Sequence, residues 1–111
     1  MNVSAIAVSG VWSAMRAHAV SASNVANVST PGFRPATVAH QPRPGGGVTT
    51  SVIPGAAPAP VGGDAVESPL SGTDLVSETV AQLGARRAFS ANLVVLRADR
   101  EMQAELVRVT R

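Results

Sequence analysis

The 111 residues suit one small domain, but only three are aromatic (Trp12, Phe33 and Phe89), so a core of alanine and valine buries little area per residue. No cysteine is present, which excludes disulfide staples and thiolate metal sites. All nine basic side chains are arginine against seven acids, so the high isoelectric point accompanies a net charge of only +2; a nucleic-acid stripe would need fewer acids.

The first predicted element is a helix over residues 3–28. Val8, Val11, Met15, Ala22 and Val25 recur at steps of three and four with His18 in the gap, and Trp12 and Ala19 widen the stripe, which is the pattern of an amphipathic helix with a core face. Residues 3–26 alone make a rod of roughly 36 Å. Ala5, Ala7, Gly10, Ala14, Ala17 and Ser21 fill much of the remaining circumference and permit close approach by partners on more than one side. The segment lacks the basic lead and unbroken apolar run of a secretory signal, and no stretch approaches the roughly 18 apolar residues of a spanning helix, so stable membrane insertion is not expected.

The helix stops at SNVANVSTPGF, Ser23 to Phe33. Asn24 and Asn27, three apart, share a face and can offer their amides to frayed carbonyls or to a neighbouring chain. Thr30 is pushed out of helical geometry by the following proline, and Pro31-Gly32 suits the centre of a type II turn with Gly32 at positive φ. Phe33 then emerges where a ring can fold back as an anchor. An ordinary helix C-terminus followed by a loop has the same spacing.

All eight prolines and eight of the ten glycines fall between Pro31 and Gly72, so residues 29–72 form a breaker-rich middle. Thr37–Gln41 and Val48–Ile53 are short β-prone runs, and the connection Pro42–Gly47 can close a small hairpin. Its glycine triplet lacks the Lys-Ser/Thr of a phosphate-binding loop, and no other cofactor motif is present. Pro54–Pro69 has no period and reads as an extended linker.

A second helix is predicted over 73–109, capped by Ser71 or Thr73, with Asp74 and Glu78 near the positive end of its dipole. Its apolar residues form three groups: Val76, Val80 and Leu83; Phe89, Leu93 and Leu96; Met102, Leu106 and Val109. The six-residue step between groups rotates the stripe by about a third of a turn, so either the helix bends or successive segments face different neighbours. The mixed charge of Arg86, Arg87, Arg97, Arg100, Arg108 and Arg111 with Asp74, Glu78, Asp99, Glu101 and Glu105 reads as a solvated face.

Catalysis is not expected. His18 and His40 sit in different segments without a metal-type pair or a recurring acidic partner, and Ser21, Ser23 and Ser29 suit capping rather than nucleophilic attack. His18 is expected on a helix face with a satisfied nitrogen and His40 exposed on a strand.

The junction and its counterpart together resemble the bacterial flagellar rod and hook family. SNVANVSTPGF is similar to that family's N-terminal signature, and DLVSETVAQLGARRAFSAN, Asp74 to Asn92, to its C-terminal motif, in order through Asp74-Leu75-Val76, Glu78, Arg87-Ala88-Phe89 and Asn92. Ser23 stands where the family often has another asparagine, and Phe33 and Phe89 where it usually has tyrosine. The resemblance, which spans roughly residues 3–34 and 73–109, implies a mainly α fold: an antiparallel, coiled-coil-like pair of N- and C-terminal helices joined by a Pro/Gly-rich middle with a small β-hairpin, in one rod-like domain over 1–111. It further implies that Asn24, Asn27, Thr30, Pro31, Gly32 and Phe33 shape the N-terminal junction, with Arg87, Phe89 and Asn92 at its helical counterpart. The implied role is a structural subunit of the basal-body rod, exported without a cleaved signal, whose partners are itself and other axial proteins rather than a small-molecule substrate or nucleic acid. The rival expectation is a helical-hairpin adaptor that engages one partner and never polymerises.

Overall fold

The computed structural model describes residues 2–56 and 70–111, with elements in the order α1 (Val3–Ala26), β1 (Thr37–Pro42), β2 (Val48–Ile53) and α2 (Leu75–Val109). The fold is mainly helical, two helices packing against each other with a small antiparallel sheet contributed by the middle. Of the expected linker at 54–69, residues 57–69 lie outside the described residues.

Asn2 starts α1, its Oδ1 accepting the Ser4 N–H at 3.0 Å. The helix ends at Ala26 rather than residue 28 because Asn27 caps it: the Asn27 side-chain amide donates to the Ser23 carbonyl at 2.9 Å, so that local bond competes with continued winding. The expected turn follows. Phe33 N–H donates to Thr30 O at 3.2 Å across Pro31-Gly32, and Gly32 takes φ 70°.

The hairpin matches its prediction except at Pro42, which pairs with Val48 and so joins β1, leaving Arg43–Gly47 as the connection. A proline is tolerated there because the ladder ends at that pair. The alternating pleat puts Val38, His40, Val48 and Thr50 on one face. That face is stitched to α1: Val48 N–H donates to Ser9 Oγ at 3.1 Å, and Ser13 Oγ lies 2.8 Å from His40 Nδ1.

α2 starts at Leu75, two residues later than expected, because Asp74 is its cap instead of lying in its first turn. Asp74 Oδ1 accepts the Val76 N–H at 3.0 Å and Oδ2 the Ser77 hydroxyl at 2.6 Å. Thr73 is engaged elsewhere, its hydroxyl donating to Asn24 O at 3.2 Å, and Ser71 donates to Thr73 at 2.9 Å.

The helices run antiparallel, since Ser4 bonds Asp99 at one end and Ser21 and Asn24 bond Glu78 at the other. Their seam overturns the expectation that the Val8–Val25 stripe is the core face. The inward residues of α1 are Ala7, Gly10, Ala14, Ala17, Ser21 and Asn24, at strict steps of three and four. Those of α2 are Glu78, Gln82, Ala85, Phe89, Asn92, Leu96 and Asp99, on the same steps. Small side chains let two backbones come close, and the α1 seam has almost nothing else. At Gly10 the approach is tightest: a Cβ there would fall inside the Asn92 side-chain amide.

Candidate functional site

The N-terminal junction is held by one side chain. Asn24 is 2% exposed, and all of its amide's polar atoms are used: Nδ2 donates to Ala36 O and to Glu78 Oε1, both at 2.8 Å, while Oδ1 accepts the Ala36 N–H at 3.0 Å. It therefore mimics a strand partner for the residue that enters β1 and reaches across to α2. Ser21 reinforces the same place, donating to Glu78 O at 3.1 Å; it is a cross-helix anchor and not the cap expected of it.

The other junction residues build the turn. Asn27 caps, Thr30 donates its hydroxyl to Asn27 Oδ1 at 3.2 Å, and Pro31-Gly32 reverse the chain. Phe33 is half-buried, and its carbonyl accepts the Gly72 N–H at 3.2 Å, tying the turn to the approach to α2. Asn24 alone of these residues is fully buried.

Arg87, Phe89 and Asn92 do not gather at that junction. Asn92 lies against Gly10, further along the seam, and donates to Ala88 O at 2.8 Å. Phe89 is half-buried in a groove of about 340 Å³ between the helices, with Met15, His18 and Arg86 among its lining. Arg87 is exposed. The separation follows from helix geometry, because Phe89 and Asn92 stand three or four turns along α2 from Glu78, the residue that meets Asn24.

Two anchors lie outside the expected site residues. Asp99, expected on the solvated charged face, is 8% exposed and accepts the Ser4 hydroxyl and, at 2.9 Å, the Gln103 amide on the same carboxylate oxygen. Ser13 holds His40, which is exposed on its strand as expected; His18 is exposed beside the Phe89 groove. The available signal is the small-residue ladder of α1, whose 3,4 spacing is as regular as that of the bulky stripe.

Apolarity is thus inverted. With alanine, glycine and polar groups inside, Trp12 is 66% exposed, and Val8, Met15, Val76, Val80 and Leu83 also face outward. Of the three groups on α2, only Phe89, Leu93 and Leu96 are half-buried. Successive segments therefore do face different surroundings. Carboxylates at the helix ends are mostly local: Asp74 is held below its ordinary pKa by the Ser77 hydroxyl and then the Val76 N–H, and exposed Glu105 pairs with Arg108 at 3.3 Å.

A trough of about 630 Å³ between β1 and α2 is lined by Ser13, His40 and Glu78, and Glu78 there is tied to Asn24 while His40 meets Ser13. Among the described residues no cluster has metal-ligand composition, and no helix is long and apolar enough to cross a membrane. Residues 5–34, which hold most of α1 and the Pro-Gly turn, match a family model described as flagella basal body rod protein. No curated protein matches the chain.

Proposed function

We propose that this chain, which belongs to the flagellar basal body rod family through residues 5–34, is a non-catalytic structural subunit that assembles by burying its outer helix faces against copies and other axial proteins. The observation that carries this reading is the inverted apolarity: a monomer that encloses alanine and serine while leaving Trp12, Met15, Leu83 and Leu106 in water has its largest hydrophobic gain still to make. The paired helices supply a stiff unit, and the hairpin braces α1 from the side. Asn24, Asn27, Thr30, Pro31, Gly32 and Phe33 act in this reading as the hinge-free corner that sets the direction of the chain leaving α1. Phe89 and Asn92 hold the helices in register.

Torque would pass through many such interfaces in parallel, with no one contact bearing it all. The location that follows is the basal body, reached by the flagellum-specific export route. Purified basal bodies from cells carrying an epitope-tagged chain provide the test. Recovery of the tag with the rod fraction, resistant to washing, is the expected result. Quantitative recovery in a soluble one-to-one complex would replace the rod subunit with the adaptor.

A further inference from the structure

The charged side chains that line the grooves beside the outer ridge of α1 are, among the described residues, all arginines. Trp12, Met15 and Ala19 separate two grooves, one shared with α2 and lined by His18, Arg86 and Phe89, the other shared with β2 and lined by Arg16, Arg43 and Val48. Among the described residues, no carboxylate lines either groove. A fitting occupant is therefore a helix with an apolar stripe and acidic residues beside it.

The chain carries such a helix at its other end. Contact between α1 and α2 reaches Ser4 and Asp99, and α2 continues to Val109 with every residue from Arg100 onward exposed. This overhang of ten residues is about 15 Å long, close to the roughly 17 Å from Val8 to Ala19 on the ridge. Met102, Leu106 and Val109 fall at steps of four and three on one side of it, and Glu101 and Glu105 fall on the flank of that stripe. Arg100 falls on the opposite side of the helix, while Arg108 shares the acidic flank and pairs with Glu105 at 3.3 Å, an exposed local pair that seating on the ridge would exchange for the groove arginines.

The geometry points to a head-to-tail contact in which the α2 overhang of one copy lies on the Trp12–Met15–Ala19 ridge of the next, with Glu101 and Glu105 meeting the arginines of the groove walls. This assignment rests on the subunit reading above and names the two surfaces it uses. Because ridge and overhang are different patches, the contact is heterologous, so each bound copy leaves one of each patch free and growth continues. Apolar burial supplies attraction, and the charge pattern selects which helix end is accepted.

Cysteine cross-linking tests it, since the chain has no native cysteine to confuse the result. Trp12→Cys and Leu106→Cys are made in separate chains, mixed under assembling conditions and oxidised; both sites are mostly exposed, so neither change removes a core residue. The expected product is the mixed disulfide, and a chain carrying both changes gives a covalent ladder. As a second arm, Arg16→Glu with Arg43→Glu loses association with unaltered chains and recovers it with Glu101→Arg, Glu105→Arg chains. Assembly without Trp12–Leu106 cross-links, or cross-links mainly between like sites, overturns the pairing while leaving the subunit reading standing. Failure of the unaltered chain to associate at all removes that reading and the pairing together.

Discussion

Asn24 on the last turn of α1 donates a hydrogen bond to Glu78 Oε1 on the first turns of α2 at 2.8 Å, from a position that is 2% exposed. That bond joins residues 54 apart in sequence, and the same amide fixes Ala36 where the chain enters the hairpin. Helix end, turn and second helix are thereby fixed relative to one another.

Removing the amide leaves Ala36 and Glu78 short of partners. Asn24→Ala is expected to lower stability by about 3 kcal/mol, the cost of several buried groups left unpaired. Asn24→Asp keeps the volume, loses both donations and faces Glu78 with a like charge, so at neutral pH it melts at least as early. Glu78→Gln in the Asn24→Asp background recovers part of the loss by restoring a donor. Circular dichroism melts of the four chains decide this; an Asn24→Ala melt equal to the unaltered one would show that the junction is held by something else.

Gly10 sets the closeness of the helices. Gly10→Leu drives a side chain into Asn92 and should cost about 1–3 kcal/mol of overpacking, visible as a lowered urea midpoint. Adding Asn92→Gly makes room and returns part of the midpoint. Equal midpoints for Gly10→Leu and the unaltered chain would mean that the helices can separate there at no cost.

Trp12 behaves in the opposite way. Its ring adds little to the fold of a single chain, so Trp12→Ser should leave the melting of a dilute sample within about 0.5 kcal/mol of the unaltered protein. Self-association should fall sharply in the same variant. A large loss of monomer stability would identify Trp12 as a core residue.

Asp74 gives the helix start a pH signature. Its carboxyl is held below the ordinary value by the Ser77 hydroxyl first and the Val76 N–H second. The unfolded chain therefore binds the proton more readily, and the contribution is complete above the ordinary aspartate value of about 3.9. It is lost as pH falls through the depressed folded value. The melting difference between unaltered and Asp74→Ala protein should be constant from pH 7 to 5 and shrink as the pH is taken to 3 and below. A difference that stays constant over that range would uncouple the cap from its charge.

Much of this fold is legible in the sequence for physical reasons. Pro31-Gly32 leaves the backbone few choices, and the β-prone runs around the Gly45–Gly47 triplet form the hairpin that they predict. Helix ends are less readable, because Ser71, Thr73 and Asp74 are all good caps, and the tertiary bond that engages Thr73 with Asn24 has no local signal. The seam departs from the pattern for a simpler reason. Hydrophobic periodicity assumes that the bulkiest stripe turns inward, whereas here Ala7, Gly10, Ala14 and Ala17 turn inward and Trp12 and Met15 turn out. Nothing local marks Asp99 as an anchor, because its partner Ser4 is 95 residues away and carries no charge.

Sedimentation velocity of the purified chain across a wide range of concentration tests most directly whether these outward faces are meant for other subunits. The account predicts species that grow continuously with concentration, and a collapse to monomer on Trp12→Ser with the helical signal retained. A single monomeric boundary at every concentration, unchanged by that substitution and by added axial proteins, would contradict it.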